Sequence, residues 1–219
     1  MPVPSRKREE KFFERARIAL INAKQDKVIS AALASYGYDA EKIAEGQKQY
    51  DLSKSFWDMN IKEDDEATMA SAHYKDKFAM VDTVFTRHRG QAQMFLKHSP
   101  DMQVSLGMKG RIPKTYREFF TCVQHFYKAI QANADIQKQL DRIKIDAKVV
   151  AACLAEVDEL MRLRAEYDRE TGESQAATAA QNTSKHDLEE WMDDFDSIAQ
   201  IALYDEPQRL ESLGIHVRS

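Results

Sequence analysis

The chain repeats itself, without gaps, at an offset of 107 residues. Pro100, Ser105, Leu106 and Gly107 return as Pro207, Ser212, Leu213 and Gly214. Phe12 and Phe13 return as Phe119 and Phe120, and Leu33, Asp39, Ala40 and Ala44 as Leu140, Asp146, Ala147 and Ala151. About one position in five is identical, and the register does not slip. The matches include the residues with special backbone geometry. Proline pre-sets φ at the first turn of a helix, and glycine takes the left-handed conformation that ends one. Each repeat is therefore expected to finish in the same short helix, from Pro100 to Leu106 and from Pro207 to Leu213. The repetition predicts one helical unit duplicated and fused, with a first repeat over 1–108 and a second over 109–219.

Seven glycines and five prolines in 219 residues leave long uninterrupted stretches that favour helix over a turn-rich β fold. Charged residues make up 31% and the mean hydropathy is −0.60, so the surface is well solvated. No run of eighteen apolar residues exists to span a membrane. The opening segment lacks the apolar core of a signal peptide. Cys122 and Cys153 do not suggest a disulfide framework. A soluble, reduced, cytoplasmic protein is expected. The repeats differ in charge: residues 1–112 carry 19 basic and 16 acidic side chains, whereas 113–219 carry 13 and 20. That divergence bears on partners more than on fold.

The periodicity predicts three antiparallel helices per repeat. Helix A runs from about residue 6 to 35, with Phe12, Phe13, Ala16, Leu20, Ala23 and Ala31 on helical spacing. Its counterpart starts at a Thr115/Glu118 capping box and carries Phe119, Phe120, Val123, Phe126, Tyr127, Ile130 and Leu140. Helix B opens at Asp39 and Asp146. Ile43, Tyr50 and Trp57 step by seven in one copy; Val150, Cys153, Val157 and Leu160 step 3-4-3 in the other. A turn to helix C is expected at the polar run Lys62–Glu66 and at Thr171-Gly172. Helix C then extends to about Lys97 and Tyr204, with Leu188, Trp191, Met192, Phe195, Ile198, Ala199 and Ala202 on one face. The expected fold is thus all-α: two tandem pseudo-symmetric three-helix antiparallel units, six long helices in total, each unit ending in a short Pro…Ser-Leu-Gly helix. The basic linker from Gly107 to Pro113 separates the repeats.

The second repeat resembles a group of bacterial all-helical proteins with no established activity. The carriers are Trp191-Met192-x-x-Phe195, Ile198-Ala199, Ala202-Leu203, Pro207 and Leu210-Glu-Ser-Leu-Gly214. The resemblance implies an all-α fold and assigns no function.

Chemistry-bearing patterns are sparse. None of the six histidines has Asp or Glu three positions before it, which argues against a carboxylate-bridged di-iron bundle. Cys122 and His125 stand at i, i+3, and Cys153 offers a third zinc donor if helices A and B meet there; the alternative is a core cysteine beside a semi-exposed histidine. The basic first helix (Arg6, Lys7, Arg8, Lys11, Arg15, Arg17), Thr86–Arg89 and Lys109–Arg111 form small patches without an aromatic stacking platform, so nucleic acid is not an expected partner. No phosphate-cradling glycine loop or hydrolase motif is present. No catalytic residue, metal or cofactor is assigned. The acidic stretch Glu189, Glu190, Asp193, Asp194 and Asp196 is the candidate partner surface, the alternative being a solvated outer helix face. These patterns favour a helical scaffold or interaction protein, with a protein partner or self-association expected. The competing expectation is a small-molecule binder or enzyme with a pocket between helices or repeats, lined by Tyr50, Trp57, Tyr127, Tyr167 and Trp191.

Overall fold

A computed structural model describes residues 6–216. Among them all regular structure is helical, in eight segments: α1 Arg6–Gln25, α2 Lys27–Ala34, α3 Ala40–Phe95, α4 Pro100–Ser105, α5 Tyr116–Ala132, α6 Ala134–Asp141, α7 Ala147–Ala202 and α8 Gln208–Ser212. The fold is all-α, as the periodicity predicted.

Two features of the expected helix plan are corrected. Helix A is broken in both repeats. Asp26 accepts from the amides of Val28 and Ile29, and Asn133 from those of Asp135 and Ile136, so each restarts the helix as an N-cap. These two caps stand 107 residues apart. Helices B and C, by contrast, are one helix of 56 residues in each repeat. Neither α3 nor α7 contains a proline. The polar run at Lys62–Glu66 is rich in helix formers, and Gly172 alone costs only about 1 kcal/mol in a helix interior. Thr171 also donates its hydroxyl to Tyr167 O at 2.7 Å, remaining within the helical path. The Thr115/Glu118 box is incomplete: Thr115 Oγ1 bonds the Glu118 carboxylate at 2.7 Å and caps no backbone amide.

The loops between helices recur in detail. Tyr38 N donates to Leu33 O and Gly37 N to Ala34 O; Ile145 and Lys144 repeat the pair on Leu140 and Asp141. Met108 and Gly107, then Ile215 and Gly214, do the same at the ends of α4 and α8. Each is a Schellman motif closed by a buried apolar residue. Its left-handed residue is glycine at 37, 107 and 214, but lysine at 144 (φ 64°).

Packing divides the chain into two compact units that do not follow the repeats. One is Met1–Asp64 with Glu173–Ser219; the other is Asp65–Gly172. The first unit's core joins Phe13, Leu20, Ile29 and Leu33 to Trp191, Phe195, Leu203 and Leu213. The second unit's core joins Phe85, Leu96 and Leu106 to Phe119, Phe126, Ile130, Ile136 and Leu140. Each core therefore takes one wall from residues before 109 and the other from residues after it. The repeats expected over 1–108 and 109–219 and the units defined by packing are different cuts of one chain. The Pro-to-Gly elements sit where expected: Leu106 and Leu213 are fully buried, each in its own unit.

Candidate functional site

The second unit buries three polar side chains against one another. His88 is on α3, Tyr127 on α5 and Cys153 on α7. The Tyr127 hydroxyl lies 3.0 Å from His88 Nδ1, and Cys153 Sγ lies 3.9 Å from the same nitrogen. Tyr127 and His88 are buried, and Cys153 is partly buried. Burial, followed by the charge of Arg87, holds the imidazole below its usual range. Burial raises the Cys153 thiol, opposed by its bond with Tyr127. Burial and the bond with Cys153 push the phenol far above its usual value. At neutral pH the trio therefore holds no net charge, which suits a low-dielectric site. Beside it lies a cavity of about 40 Å³ lined by Met80, Val81, Val84, Tyr127, Cys153 and Glu156. Met80 and Glu156 are exposed at its rim, and Glu156 pairs with Lys77 at 2.6 Å.

The same sequence positions in the first unit are apolar. At an offset of 107, His88 corresponds to Phe195, Tyr127 to Leu20, Cys153 to Gly46 and Val84 to Trp191. In the first unit the indole of Trp191 lies over Gly46 and stacks on Phe195 at 5.4 Å. Where the first unit carries the indole, the second carries Val84 and the polar trio.

The acidic stretch on α7 divides. Asp196 is drawn inward to Arg15, and burial outweighs that pairing to raise its pKa. Glu189 pairs with Lys185 at 3.2 Å, and the same Lys185 reaches the buried Glu9 at 2.9 Å. Glu190, Asp193 and Asp194 remain exposed.

The expected zinc trio does not assemble. His125 Nε2 lies 3.0 Å from Ser105 O, and Cys153 meets His88 instead. Among the described residues, no set of three His, Cys, Asp or Glu donor atoms within 4.8 Å includes Cys122, His125 or Cys153. One basic patch is dismantled as well. Arg89 is buried and donates to Met108 O and Gly110 O at 2.9 and 2.8 Å, pinning the linker, while His88 points into the core trio. The five aromatics named for a pocket do not converge. Tyr50, Trp57 and Trp191 pack on the first unit's core, with Tyr50 and Trp57 against Phe13. In the second unit, Tyr127 is a core residue and Tyr167 stacks on Tyr74 at 5.7 Å.

Periodicity alone missed His88, since it sits where a buried apolar residue is expected. Its signal was the mismatch with Phe195 one repeat later. No protein family, no curated protein and no solved structure matches the chain. No helix among the described residues is long and apolar enough to cross a membrane.

Proposed function

We propose that this chain is a non-enzymatic helical scaffold, made by duplicating one helical unit, that binds a protein partner in a reducing cytoplasm. The observation that carries it is the acidic face of α7. Glu189 and Asp196 are committed to intramolecular pairs, whereas Glu190, Asp193 and Asp194 are exposed along α7, with His186 3.5 Å from Glu190. Charges grouped this way repel one another and are relieved by a basic surface, which speeds association and selects partners. The filled apolar cores are consistent with a supporting role, and both cysteines are free thiols.

The test is an affinity capture with the wild-type chain and with Glu190→Lys/Asp193→Lys/Asp194→Lys, followed by titration with each purified partner found. The account expects a partner with a basic surface whose affinity falls at least tenfold in the variant and weakens with added salt. A partner set that is identical for both proteins would overturn it.

A further inference from the structure

We propose that Cys153 and His88 form a binding site for a single thiophilic metal ion, copper(I), in the second unit. Three independent observations support this. The first is distance. Donor bonds of about 2.3 Å to sulfur and about 2.0 Å to nitrogen, as at zinc, place the two donors about 3.5 Å apart at a tetrahedral angle and about 4.3 Å apart when linear. Bonds to copper(I) are of similar length. The observed separation of Cys153 Sγ and His88 Nδ1 is 3.9 Å, within that range, and the ion takes the place of the Tyr127 hydrogen bond at Nδ1.

The second observation is space. The cavity of about 40 Å³ borders the sulfur, opens past the exposed Met80, and is too small for an organic ligand of any size. The third is the contrast between units. Four sequence positions that meet as Leu20, Gly46, Trp191 and Phe195 in one unit are Tyr127, Cys153, Val84 and His88 in the other. Three of the four changes bury polar atoms, which destabilises a core unless it is repaid. The fourth removes the indole and opens the space next to them. A purely structural polar cluster has no need of the opening.

Donor chemistry selects the ion. Zinc requires four ligands. Among the described residues, no further His, Cys, Asp or Glu donor completes a set of three with Cys153 and His88 within 4.8 Å, and the nearby Glu156 is held by Lys77. Copper(I) accepts two or three soft donors, and thiolate with thioether favours it. Met80 lines the cavity and supplies a thioether at its mouth. On binding, the Cys153 thiol releases its proton to solvent and an S–Cu bond forms, while the hydrogen bond between Tyr127 and His88 Nδ1 breaks, the ring proton resides on Nε2, and the freed Nδ1 lone pair bonds the metal. The copper stays monovalent throughout. Tyr127 then turns its hydroxyl toward the thiolate and stabilises it.

The experiment is an anaerobic titration of the full chain with copper(I) against a chromophoric chelator, with X-ray absorption on the loaded protein. The expected result is one equivalent bound, with sulfur and nitrogen both in the coordination shell. Cys153→Ser and His88→Phe should each weaken binding at least tenfold, while Cys122→Ser leaves it unchanged. His88→Phe installs the residue found at the matching position of the other repeat, and circular dichroism checks that each variant folds. Val84→Trp, which leaves both donors in place, should also block binding by filling the cavity. The proposal is overturned if Cys122→Ser loses the metal, if Cys153→Ser retains it, if nothing binds, or if one equivalent of zinc displaces the copper.

Discussion

The indole of Trp191 lies over Gly46 so closely that a Cβ on residue 46 would stand 2.3 Å from the ring. Trp191 is itself buried and stacked on Phe195, so the ring has little room to retreat. Gly46→Ala should therefore destabilise the protein by about 1–3 kcal/mol, even though alanine is the better helix former by about 1 kcal/mol. Gly172 also lies in a helix, but a Cβ there meets nothing within 4 Å. Gly172→Ala should stabilise by up to about 1 kcal/mol. Urea titrations of the two variants against the parent check both signs.

Lys144 occupies the left-handed position of a Schellman motif in which the other repeat carries Gly37. A side chain there costs about 1 kcal/mol relative to glycine. Lys144→Gly should raise stability by about that amount less the added freedom of the unfolded chain, whereas Gly37→Lys should lower it. Thermal melts of the two single variants decide the matter.

Leu213 is fully buried at the end of the first unit's core, next to Leu210 and Ile215. Its element is held to α1 by Asn22 donating to Ser212 O at 2.6 Å and by Arg15 donating to Gly214 O. Leu213→Ala should cost about 2–5 kcal/mol, and removing residues 206–219 should cost more. Unchanged denaturation midpoints would mean that the segment does not support the core.

The buried His88 predicts a pH dependence of definite sign. Its folded pKa lies below its unfolded value of about 6.5 because burial and Arg87 disfavour the charged ring. The unfolded chain therefore takes up a proton first, so stability is complete above pH ~6.5 and falls as the pH is lowered through that value. His88→Phe should flatten this part of the stability–pH curve. An equal slope in the variant between pH 7 and 5 would assign the effect to other groups.

Much of the fold was legible in the sequence because it rests on local chemistry that occurs twice. Asp39 and Asp146 open their helices by accepting backbone amides, and Gly107 and Gly214 close theirs with positive φ. The continuity of α3 and α7 was less legible, since a polar run such as Lys62–Glu66 reads as a turn or as an exposed helix face with equal ease. The Asp26 and Asn133 caps were overlooked because apolar periodicity continues across them through Ile29 and Ile136. The pairing of core walls was not legible at all. Which half of a long helix meets which short helix is a tertiary property, and the 107-residue offset is compatible with either pairing. The Cys153–His88 contact follows from that pairing, which is why the sequence offered His125 as the partner instead.

The central claim is that each core is built from both repeats, so that neither repeat closes a core by itself. A protease site inserted after the exposed Arg111, in the linker between α4 and α5, allows the folded chain to be cut into its two repeats. Size-exclusion chromatography with light scattering, under native conditions after cleavage, is the most direct measurement. The cut protein should remain one particle of about 25 kDa, the mass of the intact chain. Two particles of half that mass, each retaining its helical signal, would contradict the account and show that each repeat folds on its own.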